Sequence, residues 1–199
     1  MAADLELARR VREKTIPSTL RIYKWSQPAI SIGRRQNPDD LPRDLLAMGI
    51  PIVSRPTGGG AVVHGPDEFT YALAVSSSVS DTGFRYLMPK LHSALREALV
   101  TRDLISHEEI TLFDSETQRY LIPKVSDTLC FSSPVCGDLM YHGKKVAGCA
   151  LRVWRDGSLL QGTIQELPIL LDELRESFIA AIERFFGFPC QPQPLKLLG

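Results

Sequence analysis

Cysteine is scarce. The 199 residues hold four, at 130, 136, 149 and 190, too few and too irregular for a disulfide scaffold, so free thiols in a reducing compartment are expected. Cys130 and Cys136 lie six apart with no second close pair, which argues against a zinc site, and no metal is expected. An excess of one charge is also missing. Lys and Arg number 23 and Asp and Glu 23, so neither a nucleic-acid coat nor a polybasic membrane anchor is predicted. No apolar run approaches the ~20 residues that cross a bilayer. The opening residues, Met1-Ala2-Ala3-Asp4-Leu5-Glu6, lack the basic-then-apolar order of a secretory signal. A cytoplasmic protein with neither nucleic acid nor membrane as partner is the expectation. What is present, 44% hydrophobic and 23% charged residues, suits one globular domain with an ample core. The domain is assigned to 1–188, with 189–199 as a Pro-rich tail.

Apolar spacing of three and four from Ala3 to Arg12 predicts a short amphipathic helix. Alternation over 20–25, 29–33, 50–54 and 69–76 predicts strands, and 40–48 reads as a helix ending at Gly49. Leu87, Leu91, Leu95 and Leu99 recur every four residues, the clearest helix in the chain. Residues 101–128 read as a loop with short strand pieces. Three further strands, 138–142, 145–153 and 158–164, are separated by turn signals, and 172–186 closes the chain as a helix. Strands outnumber helices and follow one another as a meander. The fold class is therefore α+β, a mixed, mostly antiparallel sheet covered by helices.

Two stretches carry chemistry. Arg55-Pro56-Thr57-Gly58-Gly59-Gly60-Ala61-Val62-Val63-His64 places three glycines after a strand, where backbone amides can approach a ligand closely. The Arg before them is positioned to hold an anion, and the His after them to donate or accept. No Gly-Lys-Ser/Thr ending makes it a Walker loop, and no helix follows to make it a dinucleotide fingerprint. A flexible turn remains the alternative. The second stretch, Met140 to Gly148, is a hairpin turn feeding Lys144 and Lys145 into a strand. Alternation points one lysine to solvent and its neighbour inward, and an inward lysine needs an anion.

Together these stretches resemble the catalytic domain shared by lipoate–protein ligases, octanoyl transferases and biotin–protein ligases. Trp25, Pro28, Gly33 and Gln36 fit the early Trp-x-x-Pro…Gly-x-x-Gln spacing. Arg55-x-Thr57-Gly58-Gly59-Gly60-Ala61-Val62-x-His64 fits the glycine loop, and Gly143-Lys144-Lys145-Val146-Ala147-Gly148 the lysine turn. The resemblance implies the biotin/lipoate protein ligase fold, substrate binding by Arg55, Thr57, Gly58, Gly59, Gly60, His64 and Gly148, and Lys145 as the key lysine.

Within that group, Asp67-Glu68-Phe69-Thr70-Tyr71 and Cys130-Phe131-Ser132-Ser133-Pro134 resemble the octanoyl transferases, which implies Cys130 as a nucleophile. A thiolate can take an acyl group from a carrier thioester and pass it to an amine, and a nearby Lys145 would favour the thiolate and hold an oxyanion. Cys149 is the second candidate, and Cys136 and Cys190 are read as incidental. The implied reaction moves an octanoyl or lipoyl group from an acyl carrier protein to a lysine of a lipoyl domain or glycine-cleavage H protein and needs no cofactor. The alternative is an ATP- and Mg-dependent lipoate ligase. A non-catalytic binding module is a further alternative, resting on Ser54, Leu151 and Gln161, each of which departs from the family pattern toward a less polar pocket. His92 and His107 show no ligand spacing. Arg34 and Arg35, with Arg21 and Lys24, are candidates for a basic patch facing an acidic carrier. Replacing Lys145 by Ala is expected to leave folding intact.

Overall fold

The computed structural model describes residues 1–66, 68–77, 86–114, 129–167 and 171–189. Cys190, Asp67 and the tail beyond Pro189 lie outside them. The four-residue leucine spacing becomes helix α3 (Leu87–Thr101), which stacks Leu87, Leu91, Leu95 and Leu99 fully buried on one side. Pro89 is tolerated because it falls in the first turn, where its missing N–H has no helical acceptor. Helix α4 (Leu171–Phe186) lies against α3 and buries Leu174, Phe178, Ala181 and Ile182. Helix α1 (Ala2–Arg12) buries Leu7, Ala8 and Val11. The stretch expected to be helical over 40–48 divides into a 3-10 turn, Pro38–Asp40, and a short α2 (Arg43–Ala47), because Pro42 takes an extended conformation at the N-cap.

The strands are β1 (Thr19–Tyr23), β2 (Ala29–Ile32), β3 (Ile52–Ser54), β4 (Val62–His64), β5 (Phe69–Ser76), β6 (Ile110–Leu112), β7 (Leu139–Tyr141), β8 (Lys144–Trp154) and β9 (Gly157–Ile164). Six form an antiparallel sheet in the order β1-β5-β9-β8-β7-β6, and β3-β2-β4 form a small mixed one. The expected α+β class, a mixed and mostly antiparallel sheet under helices, is what the chain adopts. Every residue of β9 is buried, as befits a strand covered on both faces. One face carries the main core: Phe69, Tyr71 and Leu73 of β5 meet α3 and α4. The other face packs Ala72, Ala74 and Leu159 against α1.

The small sheet lies over this second face. Thr57 Oγ1 donates to Gln161 Oε1 at 2.9 Å, and Gln165 Nε2 donates to the Val63 carbonyl at 2.7 Å. Beneath it, Gly148, Thr163 and Thr70 sit opposite one another on β8, β9 and β5. One irregularity matters to the site. Met140 pairs with Lys145 but Leu139 with Ala147, so Val146 is an extra residue on β8. Such a bulge interrupts the two-residue alternation, and it brings the Lys145 side chain onto the face of Gly148.

Candidate active site

Lys144 is exposed and Lys145 buried, as strand alternation predicts. The Lys145 ammonium lies 2.7 Å from Asp138 Oδ2 and 2.7 Å from the Cys130 carbonyl oxygen. Its third neighbour is Cys130 Sγ, at 3.6 Å. Gly148 lies directly against this arm: a Cβ there would stand 2.7 Å from Lys145 Cε and push the lysine aside. Both members of the ion pair are inaccessible to solvent, at 3% and 0% side-chain exposure. This overturns the expectation that replacing Lys145 leaves folding intact, since its loss would strand the Asp138 carboxylate in the interior. Asp138 Oδ2 also accepts the Val135 N–H, while Oδ1 is buried with no hydrogen-bond partner.

Cys130 opens a 3-10 turn, Cys130–Ser132, pinned to the glycine loop where its N–H donates to the Ala61 carbonyl at 2.9 Å. It is half-buried, whereas burial pushes the Cys149 thiol well up, with Asp138 and Cys130 adding to the effect. A thiol held in its neutral form is a poor nucleophile. Of the two candidates, the geometry favours Cys130. Cys136 is exposed.

The Arg55 guanidinium is turned onto backbone and hydroxyl oxygens. Its Nε and Nη2 donate to the Gly58 carbonyl, Nη2 also to that of Gly60 at 2.6 Å, and Nη1 to the carbonyl and Oγ of Ser31. Those five contacts match the five N–H donors of a guanidinium. The side chain is a clamp that shapes the glycine loop from within, and burial draws its pKa below the usual value. Gly59 completes the loop at φ 87°, a conformation other residues rarely adopt. Thr57 is fully buried and linked through Gln161 to Asp4, which also accepts from Arg21 at 2.5 Å and Tyr23 at 3.1 Å. Gln161 therefore supplies polar contacts, contrary to the sequence reading that its position lost them. Ser54 is exposed, away from the site.

His64 is buried against Trp25, ring centroids 4.1 Å apart and nearly parallel. Its Nδ1 lies 2.8 Å from Glu68 Oε1 and its Nε2 2.7 Å from Ser31 Oγ. Arg55 can only donate, so Ser31 Oγ accepts from it. Glu68 also accepts from Thr163 Oγ1, Gly65 N and Gln165 Nε2.

Two cavities meet at Cys130. An inner cleft of about 30 Å3, space for one water, is bordered by Ser31, Arg55, His64, Thr70, Cys130 and Gly148. A wider groove of about 400 Å3 is bordered by Gly58, Gly59, Gly60, Lys145, Cys130 and Leu151. Of the catalytic and substrate-binding residues implied by the resemblance, all among the described residues, Thr57 alone borders neither. Missed were Asp138, Asp4, Ser31 and Glu68 as partners. An acid at the start of a strand, joined by a tight turn to the inward lysine, was the one available signal.

Residues 1–167 match the lipoyl protein ligase A/B catalytic domain. The chain belongs to this family. An octanoyltransferase, LipM, from Exiguobacterium sp. is 35% identical over 182 residues, covering 87% of the chain and 62% of the relative. The chain thus spans less than two thirds of that relative's length. Among solved structures, lipoate-protein ligase A bound with ATP superposes with a TM-score of 0.69 at 18% identity, covering 96% of this chain and 83% of that one. A bipartite lipoate protein ligase from Thermoplasma acidophilum, studied with its E2 lipoyl domain, gives 0.66 at 15%, covering 96% and 82%. Lipoyl ligase family members thus share its fold as well as its sequence signature. Among the described residues no helix is long and apolar enough to cross a membrane.

Proposed function

We propose that this family member is an octanoyl or lipoyl transferase. Cys130 takes the acyl group from an acyl carrier protein and delivers it to a lysine of a lipoyl domain or glycine-cleavage H protein. The observation that carries the reading is Cys130 Sγ, 3.6 Å from the Lys145 ammonium at the meeting point of two cavities. The Cys130 sulfur attacks the carrier thioester carbonyl; the bond to the carrier sulfur breaks and that sulfur leaves as a thiol. The acceptor amine then attacks the Cys130 thioester, an amide forms, and Cys130 regains its proton. Lys145 stabilises the negative charge that develops in each step. The row Gly148, Thr163, Thr70 crosses two strand spacings, ~10 Å, and offers a path for an extended acyl chain that widens the inner cleft on entry.

The transferase needs neither ATP nor metal, which separates it from a lipoate ligase. Purified protein mixed with octanoyl-carrier protein and a lipoyl domain should add one octanoyl group to the domain without ATP. The Cys149→Ala variant should retain this activity, and Cys130→Ala should lose it. Modification that requires ATP and free octanoate, and survives in Cys130→Ala, would instead make the chain a ligase.

A further inference from the structure

Beside the groove stands positive charge that the chemistry at Cys130 does not use. Gly148, Ala150 and Arg152 share one face of β8, since they are two residues apart beyond the bulge. Gly148 lies under Lys145, Ala150 borders both cavities, and Arg152 stands four residues from Gly148, ~13 Å along the strand. Arg152 Nη1 donates to the Pro56 carbonyl at 3.2 Å, and the Arg34 N–H donates to that of Thr57 at 2.9 Å. Both arginines therefore sit at the start of the glycine loop, whose following glycines border the groove. The Arg152 guanidinium stacks on Trp154 at 4.6 Å, and Arg12 stacks on the same ring at 4.6 Å. Arg12 is paired with Asp156, but among the described residues neither Arg34 nor Arg152 meets a carboxylate. Burial draws the Arg152 pKa down, and repulsion from Arg34 and Arg12 adds to the effect. Of the four basic residues expected to form a patch, Arg34 lies near Arg152. Arg21 is paired with Asp4.

We propose that Arg34 and Arg152 bind the phosphate of a phosphopantetheine arm. The thioester end of the arm would then lie at Cys130, and the arm would run along the glycine loop and β8. This rests on the transferase reading and adds a subsite to it. An anion here relieves two like charges held together, and guanidinium groups match phosphate geometry in a bidentate way. The arm is recognised by its phosphate, whatever carrier it is attached to.

The test compares two small thioesters, S-octanoyl-phosphopantetheine and S-octanoyl-pantetheine, with intact octanoyl-carrier protein. The wild-type protein should acylate Cys130 faster from the phosphorylated thioester. In Arg152→Gln and Arg34→Gln, kcat/KM for the phosphorylated thioester should fall about tenfold or more, the size of a lost charge-assisted hydrogen bond. The unphosphorylated thioester should react as before, and Arg102→Gln, exposed at the end of α3, should leave both rates unchanged. Equal losses with both thioesters would mean general damage and overturn the subsite. No loss would also overturn it, as would a loss confined to intact carrier protein, which would assign the arginines to the carrier's acidic surface. If neither small thioester nor octanoyl-carrier protein acylates the wild type, the transferase reading falls, and the subsite with it.

Discussion

Lys145 is held by the residue it most depends on and that depends most on it. Removing one member of a buried pair typically destabilises by about 3–5 kcal/mol, because the other charge is left in the interior. Lys145→Ala should therefore lower unfolding stability by roughly that amount, while Lys144→Ala, on the solvent side, should stay within ~0.5 kcal/mol. Chemical denaturation of the two variants checks this; equal stability would show that Lys145 and Asp138 do not form the pair seen here. Per folded molecule, Lys145→Ala should also slow Cys130 acylation by ~10²-fold or more. Alternation made one inward lysine legible, and the resemblance placed it at Lys145. Its partner was not, because the bulge at Val146 shifts the register between β7 and β8 and no short motif records a bulge.

At the scale of elements, the helices and long strands were legible because each buries a face with a fixed period. The leucines of α3 and the alternating β5 belong to this kind. The short β4 and the division of 40–48 were not legible, since three-residue strands and single turns are settled by tertiary contacts. Helix α3 also carries His92, fully buried, whose Nδ1 donates to the Gly137 carbonyl at 2.6 Å and whose Nε2 faces Tyr71 OH at 2.9 Å. This places it in the core, and it ties α3 to the residue preceding Asp138. Burial draws its pKa down. An unfolded chain takes up a proton on this group near pH ~6.5, whereas the folded one resists until lower pH. The stability His92 contributes is thus whole above ~6.5 and is lost as pH falls toward the depressed folded value. Urea unfolding at about pH 7.5 and about pH 5.5 should show a smaller difference in His92→Gln than in the wild type. An unchanged difference would mean that His92 is not buried in its neutral form.

On the scale of the whole molecule, the site is a seam between two sheets. The six-stranded sheet supplies Lys145, Gly148 and Gln161, and the segment ending in the small sheet supplies the glycine loop and His64. Arg55 and Thr57 were picked out as ligand contacts. Arg55 clamps the glycine loop onto β2, and Thr57 joins that loop to Gln161 of β9, contacts between distant segments that leave no local trace in the sequence. Cys130 reaches the seam from a third direction, through its link to Ala61. The claim that this cysteine carries the acyl group is tested most directly by incubating the protein with octanoyl-carrier protein alone and measuring its intact mass. The account predicts one added octanoyl group, located at Cys130, removed by hydroxylamine and absent from Cys130→Ala. An octanoyl group located at Cys149, or a wild-type protein that stays unmodified, would contradict it.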